Sequence, residues 1–267
     1  MTLYDRARLV ARCLALAPAF LIGLPVQALL IRTGSRWQAS APVLFHRYVA
    51  RVIGLNIRVV TPLPPRGAML ILSNHVSWLD IIVLGALVPV SFVAKSEVAG
   101  WPGAGLLARL QRTLFVDRNS RRAAALTAAE MAARLAAGDA VVLFAEGTTS
   151  DGNRVLPFRS SLVGAVTGSD ADVPVQPVAI VYTGMSGLPA GRRERPAIAW
   201  YGDMDLAPHL AALLSGGPVD VAVGFAPLPV GRARARKDIA REAEQAVRTL
   251  SAAIRSGAGF DAPVKAP

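Results

Sequence analysis

The longest apolar run of the chain lies near its N-terminus. Nineteen residues without a formal charge, 13–31, have arginines on both sides. A run of about 18 apolar residues or more is long enough for a membrane-spanning helix. Pro18, Gly23 and Pro25 interrupt the run, and proline kinks a helix. We therefore expect a membrane-anchoring helical segment, for which a helix pair within one leaflet is as plausible as a true span. Two alternatives are a buried core helix and a cleaved signal sequence ending near residues 26–28.

Beyond this segment the apolar positions alternate between two periods. Short runs rich in β-branched residues predict strands, and apolar residues three or four apart predict helices. The predicted strands cover residues 68–73, 91–94, 140–145, 173–181 and 219–225. Predicted helices begin at Ser77, cover residues 123–137, and follow a C-terminal stripe of Ile239, Ala243, Val247, Leu250 and Ile254. Strands that alternate with helices indicate an α/β sheet. We predict one α/β domain over residues 59–267, preceded by an anchoring segment over residues 1–58.

The composition narrows the possible partners. Hydrophobic residues make up 53% of the chain and charged residues 18%, which excludes a disordered polypeptide. The formal net charge is +11, and all but three of the 29 basic residues are arginines. An apolar chain with a basic surplus suggests an anionic membrane surface or nucleic acid as the partner.

Cysteine and histidine are rare. Cys13 is the only cysteine, so no intrachain disulfide can form and nothing points to an oxidising compartment. The histidines, His46, His75 and His209, are far apart in sequence and have no cysteine beside them. We therefore expect no metal site.

The strongest candidate chemistry lies in the polar turn after the first predicted strand. His75 and Asp80 are five residues apart there, where a strand passes into a helix. If His75 lies in the turn and Asp80 in the first helical turn, the two side chains can face each other. A histidine is the usual general base near neutral pH, and a carboxylate on its second nitrogen fixes the tautomer and stabilises the imidazolium. The alternative is a helix capping box from Ser77 to Asp80, and both interpretations can hold together.

Two further segments place polar residues next to apolar strands. Residues 144–150 follow an apolar strand, where an α/β sheet tends to form a ligand crevice, although an ordinary turn is the alternative. Residues 114–118 end in Arg118, which can bind an anionic group through two parallel hydrogen bonds or can simply be solvated.

These segments, in this order, resemble the sequence blocks of the glycerolipid acyltransferase family. Asn74 and His75 through Asp80 are similar to its Asn-His-x4-Asp block, and residues 115–118 to its second block. Residues 144–150 are similar to Phe-Pro-Glu-Gly-Thr-Arg-Ser, and residues 173–177 to the fourth block. Lys95 stands where the family often has a lysine. The resemblance implies a mixed, mostly parallel sheet flanked by helices, with an N-terminal membrane-associated helical segment.

The resemblance also implies a reaction and its residues. A fatty acyl group would pass from an acyl-carrier protein or acyl-CoA thioester to the free hydroxyl of a lysolipid, without a cofactor. His75 would act as the general base and Asp80 would orient it. The substrate-binding residues would be Lys95, Arg118, Glu146, Gly147, Thr148 and Thr149. The domain over residues 59–267 would be the catalytic domain, at the cytoplasmic side of the inner membrane.

Three positions depart from the family's pattern. Ala145 replaces a proline, and Thr149 stands where the family usually has an arginine, a ligand for phosphate. Arg112 replaces a glycine of the second block, and we expect it to return positive charge to the site. Residues 146–152, with 157–159 following, are similar to the lyso-ornithine lipid acyltransferase branch, whose acceptor carries an amino acid head group. We therefore hold 1-acylglycerol-3-phosphate, which would yield phosphatidic acid, and lyso-ornithine lipid as near-equal acceptors.

Two other classes of function have weaker support. Residues 103–108 fit a relaxed dinucleotide-binding fingerprint, although Trp101 and Pro102 interrupt its approach. Residues 192–195 and 232–237 are rich in arginine, but no aromatic residues interleave with them as in nucleic-acid-binding modules. We therefore expect no nucleic acid partner, and interpret these clusters either as a solvated face or as a contact with anionic lipid or an acidic carrier protein.

Overall fold

A long helix begins the chain in the computed structural model, which describes residues 2–117, 121–161, 163, 174–226 and 235–257. Helix α1 (Leu3–Pro18) passes through one π-helical turn (Ala19–Gly23) into α2 (Leu24–Arg32). The irregular turn lies between Pro18 and Pro25, where we expected the helix to be disturbed. The 30 residues are long and apolar enough to cross a membrane, and only 6% of their most apolar window is buried. So small a buried share argues against a buried core helix.

Two arginines attach α1 to the rest of the fold. Arg8 donates to the carbonyl of Gly216 at 2.7 Å, and Arg12 donates to the carbonyls of Leu214 and Gly216 at 3.0 Å. These carbonyls lie at the end of a helix over Leu206–Ser215, where the last carbonyls lack partners within the helix. A cation at this end also interacts favourably with the helix dipole. Part of the basic surplus near the N-terminus therefore has a structural role.

Helix α3 (Ala41–Ile53) leads into the sheet. Gly54 ends it in the left-handed conformation with a φ of 83°, and strand β1 (Leu55–Val59) follows at once. The buried His46 of α3 places its Nε2 atom 3.0 Å from the side-chain oxygen of Gln111. Burial lowers the pKa of His46 to about 4, so its ring is uncharged near neutral pH. Residue 58, the predicted end of the anchoring segment, lies within strand β1. The boundary between anchoring segment and catalytic domain stays a prediction.

Within the described residues, eight strands form one mixed, mostly parallel sheet, as predicted. Strand β2 (Met69–Ser73) runs parallel to β5 (Ala140–Phe144) and β6 (Val175–Met185), and β3 (Ser91–Lys95) runs parallel to β5 and β4 (Leu114–Val116). Strand β6 is antiparallel to β7 (Leu188–Pro189) and β8 (Val219–Phe225). The spatial order is β1-β8-β6-β2-β5-β3-β4, with β7 beside β6. The strands after β1 are β2 (Met69–Ser73), β3 (Ser91–Lys95), β4 (Leu114–Val116), β5 (Ala140–Phe144), β6 (Val175–Met185), β7 (Leu188–Pro189) and β8 (Val219–Phe225).

Helices cover both faces of this sheet. On one face, α3 and α4 (Leu79–Leu87) pack on Met69 and Ile71 of β2. On the other face, α6 (Arg121–Ala136) and α9 (Arg236–Ser256) pack on Leu70 and Leu72. Successive side chains of a strand point to opposite faces, so the continuous apolar run of β2 belongs to a strand buried on both sides. The helices after α3 are α4 (Leu79–Leu87), α5 (Ala104–Leu110), α6 (Arg121–Ala136), α7 (Arg195–Ile198), α8 (Leu206–Ser215) and α9 (Arg236–Ser256), with short 3₁₀ turns at Arg36–Gln38 and Ser96–Gly100.

The carboxyl ends of the parallel strands bring the predicted site segments to one edge of the sheet. Strand β2 ends at Ser73 beside the end of β5 at Phe144, and β3 ends at Lys95 beside the end of β4 at Val116. In open α/β sheets, ligands bind outside this edge. The fold therefore places the three candidate segments where a common site can form.

Candidate active site

The turn after β2 brings His75 and Asp80 together. His75 follows the strand by two residues, and Asp80 lies in the first turn of α4. Their side chains meet with 2.8 Å between Nδ1 of His75 and Oδ2 of Asp80. Because an ionised carboxylate only accepts hydrogen bonds, Nδ1 carries the proton in this contact and Nε2 is left with its lone pair. The geometry is that of a general base and its orienting carboxylate.

Asp80 is fully buried and accepts four hydrogen bonds. Its Oδ2 atom accepts from His75 and from the backbone N–H groups of Val76 at 2.7 Å and Ser77 at 3.0 Å. Its Oδ1 atom accepts from the hydroxyl of Tyr182 at 2.7 Å. The side-chain hydroxyl of Ser77 has no partner among the described residues, so only the carboxylate half of the predicted capping box is formed. One carboxylate therefore holds the backbone of the turn that precedes α4 and also contacts His75.

The imidazole of His75 lies flat against an aromatic ring. Its plane is 8° from that of Phe144, and the ring centroids are 3.8 Å apart. Phe144 in turn stacks on Phe92, with centroids 6.0 Å apart. The His75 side chain keeps 19% of its surface exposed, and within the described part of the chain no hydrogen bond reaches Nε2. The ring is thus fixed by packing on one side and open to a substrate at the nitrogen that would accept a proton.

The backbone of this turn is held from two sides. The carbonyl of His75 accepts from the N–H of Ser150 at 2.9 Å and from its hydroxyl at 3.3 Å. The side-chain amide of Asn74 exchanges two hydrogen bonds of 2.9 Å with the backbone of Ile180. Asn74 and Ser150 therefore join the turn after β2 to strand β6 and to the turn after β5.

Glu146 is buried rather than presented to a ligand. It is 2% exposed, and its Oε1 atom accepts the N–H of Leu156 at 3.1 Å. Its Oε2 atom has no partner among the described residues. Burial raises the pKa of Glu146 to about 8, against which the hydrogen bonds from backbone N–H groups act only in part. The carboxyl is therefore mostly protonated at neutral pH and braces the loop that follows β5.

The other residues of the turn after β5 differ in exposure. Gly147 has a φ of 74°, a conformation that favours glycine, and its N–H bonds to the carbonyl of Phe144. Thr148 is exposed and Thr149 is half-exposed. Of the residues predicted to bind substrate in this turn, the two threonines present the more accessible side chains.

The predicted cations lie at different places. Lys95 is exposed at the carboxyl end of β3, on the same edge of the sheet as His75. Arg118 lies outside the described residues. The expectation for Arg112 was wrong, because it precedes β4 and pairs with Asp139, which precedes β5, at 2.6 Å. Both residues lie at the amino ends of parallel strands, so Arg112 faces away from the site.

The glycines at 103–108 serve packing. Gly103 adopts a φ of 71° at the start of α5, and the Cα of Gly105 lies so near the carbonyl of Ala99 that a side chain would collide with it. A 3₁₀ turn separates α5 from β3, so the direct strand-to-helix passage of a dinucleotide fingerprint is missing here.

Among the described residues, no group of three or more His, Cys, Asp or Glu side chains is arranged to hold a metal ion.

Comparisons with known proteins identify relatives of this chain. A family model described as Acyltransferase matches residues 55–181. The chain is 48% identical over 233 residues to a lyso-ornithine lipid O-acyltransferase of Brucella abortus, covering 85% of this chain and 87% of that protein. It is 35% identical over 173 residues to a 1-acyl-sn-glycerol-3-phosphate acyltransferase of Neisseria gonorrhoeae, covering 65% of this chain and 64% of that protein.

A solved structure shares the fold. The crystal structure of the 1-acyl-sn-glycerophosphate (LPA) acyltransferase PlsC from Thermotoga maritima superposes with a TM-score of 0.59. The match covers 94% of this chain and 98% of that one, at 20% sequence identity. At this identity the likeness concerns the fold alone.

Proposed function

Since the chain belongs to the acyltransferase family, we propose that it transfers a fatty acyl group from a thioester to the free hydroxyl of lyso-ornithine lipid. The observation that carries the reaction is the buried Asp80 holding Nδ1 of His75 at 2.8 Å, beside an accessible Nε2. The identity of 48% and 42% to two lyso-ornithine lipid O-acyltransferases supports the acceptor.

His75 acts as the general base in this reaction. Its Nε2 atom takes the proton of the lysolipid hydroxyl while the hydroxyl oxygen attacks the thioester carbon. The tetrahedral intermediate then expels the thiolate as the carbon–sulfur bond breaks, and the imidazolium returns the proton to sulfur. Asp80 keeps the tautomer and stabilises the imidazolium without taking the proton itself. The acyl group passes directly between substrates, so no covalent acyl-enzyme is needed.

The charge of the turn after β5 supports an acceptor without a phosphate monoester. Thr149 offers a neutral hydroxyl where a phosphate-binding arginine stands in the resembling block, and the neighbouring Glu146 is mostly uncharged. Lys95, at the same edge of the sheet, would bind the carboxylate of an amino acid head group, together with Arg118. A turn that offers a hydroxyl in place of a guanidinium suits a carboxylate better than a doubly charged phosphate. Lysophosphatidic acid is the second candidate, favoured by the 35% identity to a relative named for that reaction.

Lipid analysis of cells that lack the protein tests the acceptor. We expect ornithine lipid to disappear and lyso-ornithine lipid to accumulate, and a plasmid carrying the wild-type chain to restore both. A plasmid carrying His75→Ala should fail to do so. Accumulation of lysophosphatidic acid with unchanged ornithine lipid would instead establish the second candidate.

The donor is proposed to dock on arginines beside the site. Arg192 and Arg193 are exposed, and the nearby Glu194 uses its carboxylate to accept the N–H of Gly191 at 2.8 Å. The charge of Asp151 acts on Arg192, but no salt bridge to either arginine is found in the described part of the chain. Exposed guanidinium groups without a salt bridge suit the phosphates of a phosphopantetheine thioester, whether on an acidic carrier protein or on coenzyme A.

Gly152 lies between the turn that bears His75 and the segment that bears the arginines. A side chain at Gly152 would lie 3.1 Å from Val76 and 3.5 Å from the stem of Arg195. Arg255 donates to the carbonyls of Gly152 and Asn153 at 3.0 Å, so its guanidinium lies beside the same segment. An anionic donor held here would be next to the general base.

Replacing Arg192 and Arg193 together with alanine tests donor docking. We expect the KM for the thioester donor to rise several-fold, with the KM for the lysolipid unchanged. Running acyl-carrier protein and acyl-CoA as separate donors identifies which one uses the arginines. Arg241→Ala removes an exposed arginine of α9 that already pairs with Asp238, and serves as the control. An unchanged KM for both donors would contradict the docking.

The N-terminal helix is proposed to anchor the enzyme at the cytoplasmic side of the inner membrane. Its apolar side chains include Leu14, Leu21 and Leu29, which are 60% exposed or more. Leu21→Glu should release part of the protein from sedimenting lipid vesicles, because a charge in the apolar layer is costly. Leu188→Glu alters an equally exposed leucine of the catalytic domain and should leave sedimentation unchanged. Equal sedimentation of both variants would contradict the anchor.

A further inference from the structure

Tyr182 is a buried tyrosine whose hydroxyl points to the catalytic carboxylate. It lies in β6 with 2% of its surface exposed, among the apolar residues of the core. A buried tyrosine hydroxyl needs a hydrogen-bond partner, and here that partner is Oδ1 of Asp80 at 2.7 Å. The contact joins residues that are 102 positions apart in the chain.

The two oxygens of Asp80 have different partners. Oδ2 accepts from His75, Val76 and Ser77, all within its own turn. In the described part of the chain, Oδ1 accepts only from Tyr182. Without that hydroxyl, half of a fully buried carboxylate would lose its hydrogen bond.

We propose that Tyr182 is a positioning residue for acyl transfer, whose hydroxyl fixes the rotation of the Asp80 carboxylate and draws off part of its negative charge. This inference rests on the proposed function for its kinetic consequence, but not for the effect on His75 itself. The triad runs from Tyr182 Oη to Asp80 Oδ1, and from Asp80 Oδ2 to His75 Nδ1. Tyr182 does not reach the substrate and acts only through Asp80.

The chain holds this hydroxyl as a donor in two ways. Burial, and next the charge of Asp80, raise the pKa of Tyr182 well above its ordinary value, so the proton stays on the tyrosine. Two residues earlier, Ile180 is fixed by its two hydrogen bonds to Asn74. Immediately after Tyr182, the pairing of β6 with β8 shifts register, which is the kind of irregularity that re-aims a side chain.

Other charges lie near this pair. Glu146 interacts with the charge of Asp80 and with the backbone of His75, and the charge of Arg248 on α9 acts on Glu146 in turn. Because Glu146 is mostly protonated near neutral pH, Asp80 is the dominant negative charge at the imidazole. Removing the tyrosine hydroxyl concentrates this charge on the carboxylate, and an imidazolium beside it becomes more stable.

Tyr182→Phe tests the proposal because it removes only the hydroxyl. We expect kcat to fall about tenfold, with the KM values of donor and acceptor unchanged. We also expect the acid limb of the pH profile of kcat/KM to move up by about half a pH unit, because the imidazolium is retained to higher pH. Tyr48→Phe is the control, since it removes a hydroxyl that donates to the carbonyl of Ala15, away from the dyad.

A titration without substrate separates this inference from the proposed function. The ring resonances of His75 are followed by nuclear magnetic resonance in wild type and Tyr182→Phe, with His46 and His209 as internal references. The midpoint of His75 should move to higher pH in the variant, even if neither lysolipid is a substrate. An unmoved midpoint and acid limb would overturn the proposal, and a lower kcat with only a lower melting temperature would make Tyr182 purely structural.

Discussion

Two buried carboxyl groups, Asp80 and Glu146, lie in neighbouring turns at the same edge of the sheet. Asp80, after β2, accepts four hydrogen bonds. Glu146, after β5, accepts the backbone N–H of Leu156 at Oε1, and its Oε2 atom has no hydrogen-bond partner among the described residues. Donors compensate the loss of water around the first carboxylate, whereas burial keeps the second mostly protonated. Burial alone therefore does not make the two carboxyl groups alike, because the hydrogen-bond donors around them differ.

The largest expected effect comes from neutralising the first carboxyl. Asp80→Asn should reduce turnover about a hundred- to ten-thousand-fold, because an amide neither stabilises the imidazolium nor enforces the productive tautomer. Steady-state kinetics measure this loss, and circular dichroism checks that the variant is folded. Asp238→Asn changes an acid in the first turn of α9 and should retain wild-type turnover. A folded Asp80→Asn protein with more than half of the wild-type rate would contradict the dyad.

Replacing the second carboxyl should act on stability instead. The pKa of Glu146 rises from its ordinary 4.5 to about 8 in the folded protein, so folding holds its proton. The resulting stability is complete below pH 4.5 and is lost as the pH rises through about 8. Glu146→Gln removes this dependence and keeps an acceptor for Leu156. The variant should be more stable than wild type above about pH 8, by on the order of a few kcal/mol.

Urea unfolding at several pH values measures this difference. The free energies of unfolding of Glu146→Gln and wild type should be similar below about pH 5 and should separate as the pH rises. Glu130→Gln alters a carboxyl whose side chain is 58% exposed and should show no such separation. A constant difference between Glu146→Gln and wild type across the pH range would show that Glu146 is ionised in the folded protein.

A smaller effect is expected from adding a cation to the second turn. Thr149→Arg should raise the ratio of kcat/KM for lysophosphatidic acid to that for lyso-ornithine lipid by about tenfold, because a guanidinium binds phosphate with two hydrogen bonds. Competition between the two acceptors in one vesicle preparation measures the ratio. Thr148→Arg places the same charge on the exposed neighbouring residue and should change the ratio less. An equal change in both variants would mean that position 149 has no special place in acceptor binding.

Local patterns predicted much of the fold. The strand predicted over residues 219–225 matches β8, and the strands predicted near 68–73, 91–94 and 140–145 match β2, β3 and β5 within two residues at each end. Strand β6 continues to Met185, beyond the predicted end at 181, because it pairs with β8 and β7 further along. Strand β1 was not predicted, although Asn56 and Arg58 alternate with apolar residues as in a strand that is buried on one face only.

The site shows the same division between local and distant contacts. The spacing of His75 and Asp80 within one turn predicted their contact, which the structure contains. Tyr182 lies just beyond the predicted end of its strand at residue 181, and no local pattern marks it, because its partner is 102 positions away. Glu146 follows the end of a strand, where a substrate-binding residue is expected. Only the fold shows that its carboxyl is buried and accepts the N–H of Leu156. The expectation that Arg112 adds charge to the site was wrong. Arg112 precedes β4, and in a parallel sheet the amino ends of the strands lie at the edge opposite to the site.

The central claim is that His75 catalyses acyl transfer to lyso-ornithine lipid. Its most direct test is the rate at which purified protein converts lyso-ornithine lipid and a thioester donor to ornithine lipid, for wild type and for folded His75→Ala. We predict turnover by wild type and less than about one thousandth of that rate for the variant. No transfer to lyso-ornithine lipid by wild type, or a rate near wild type in His75→Ala, would contradict the account.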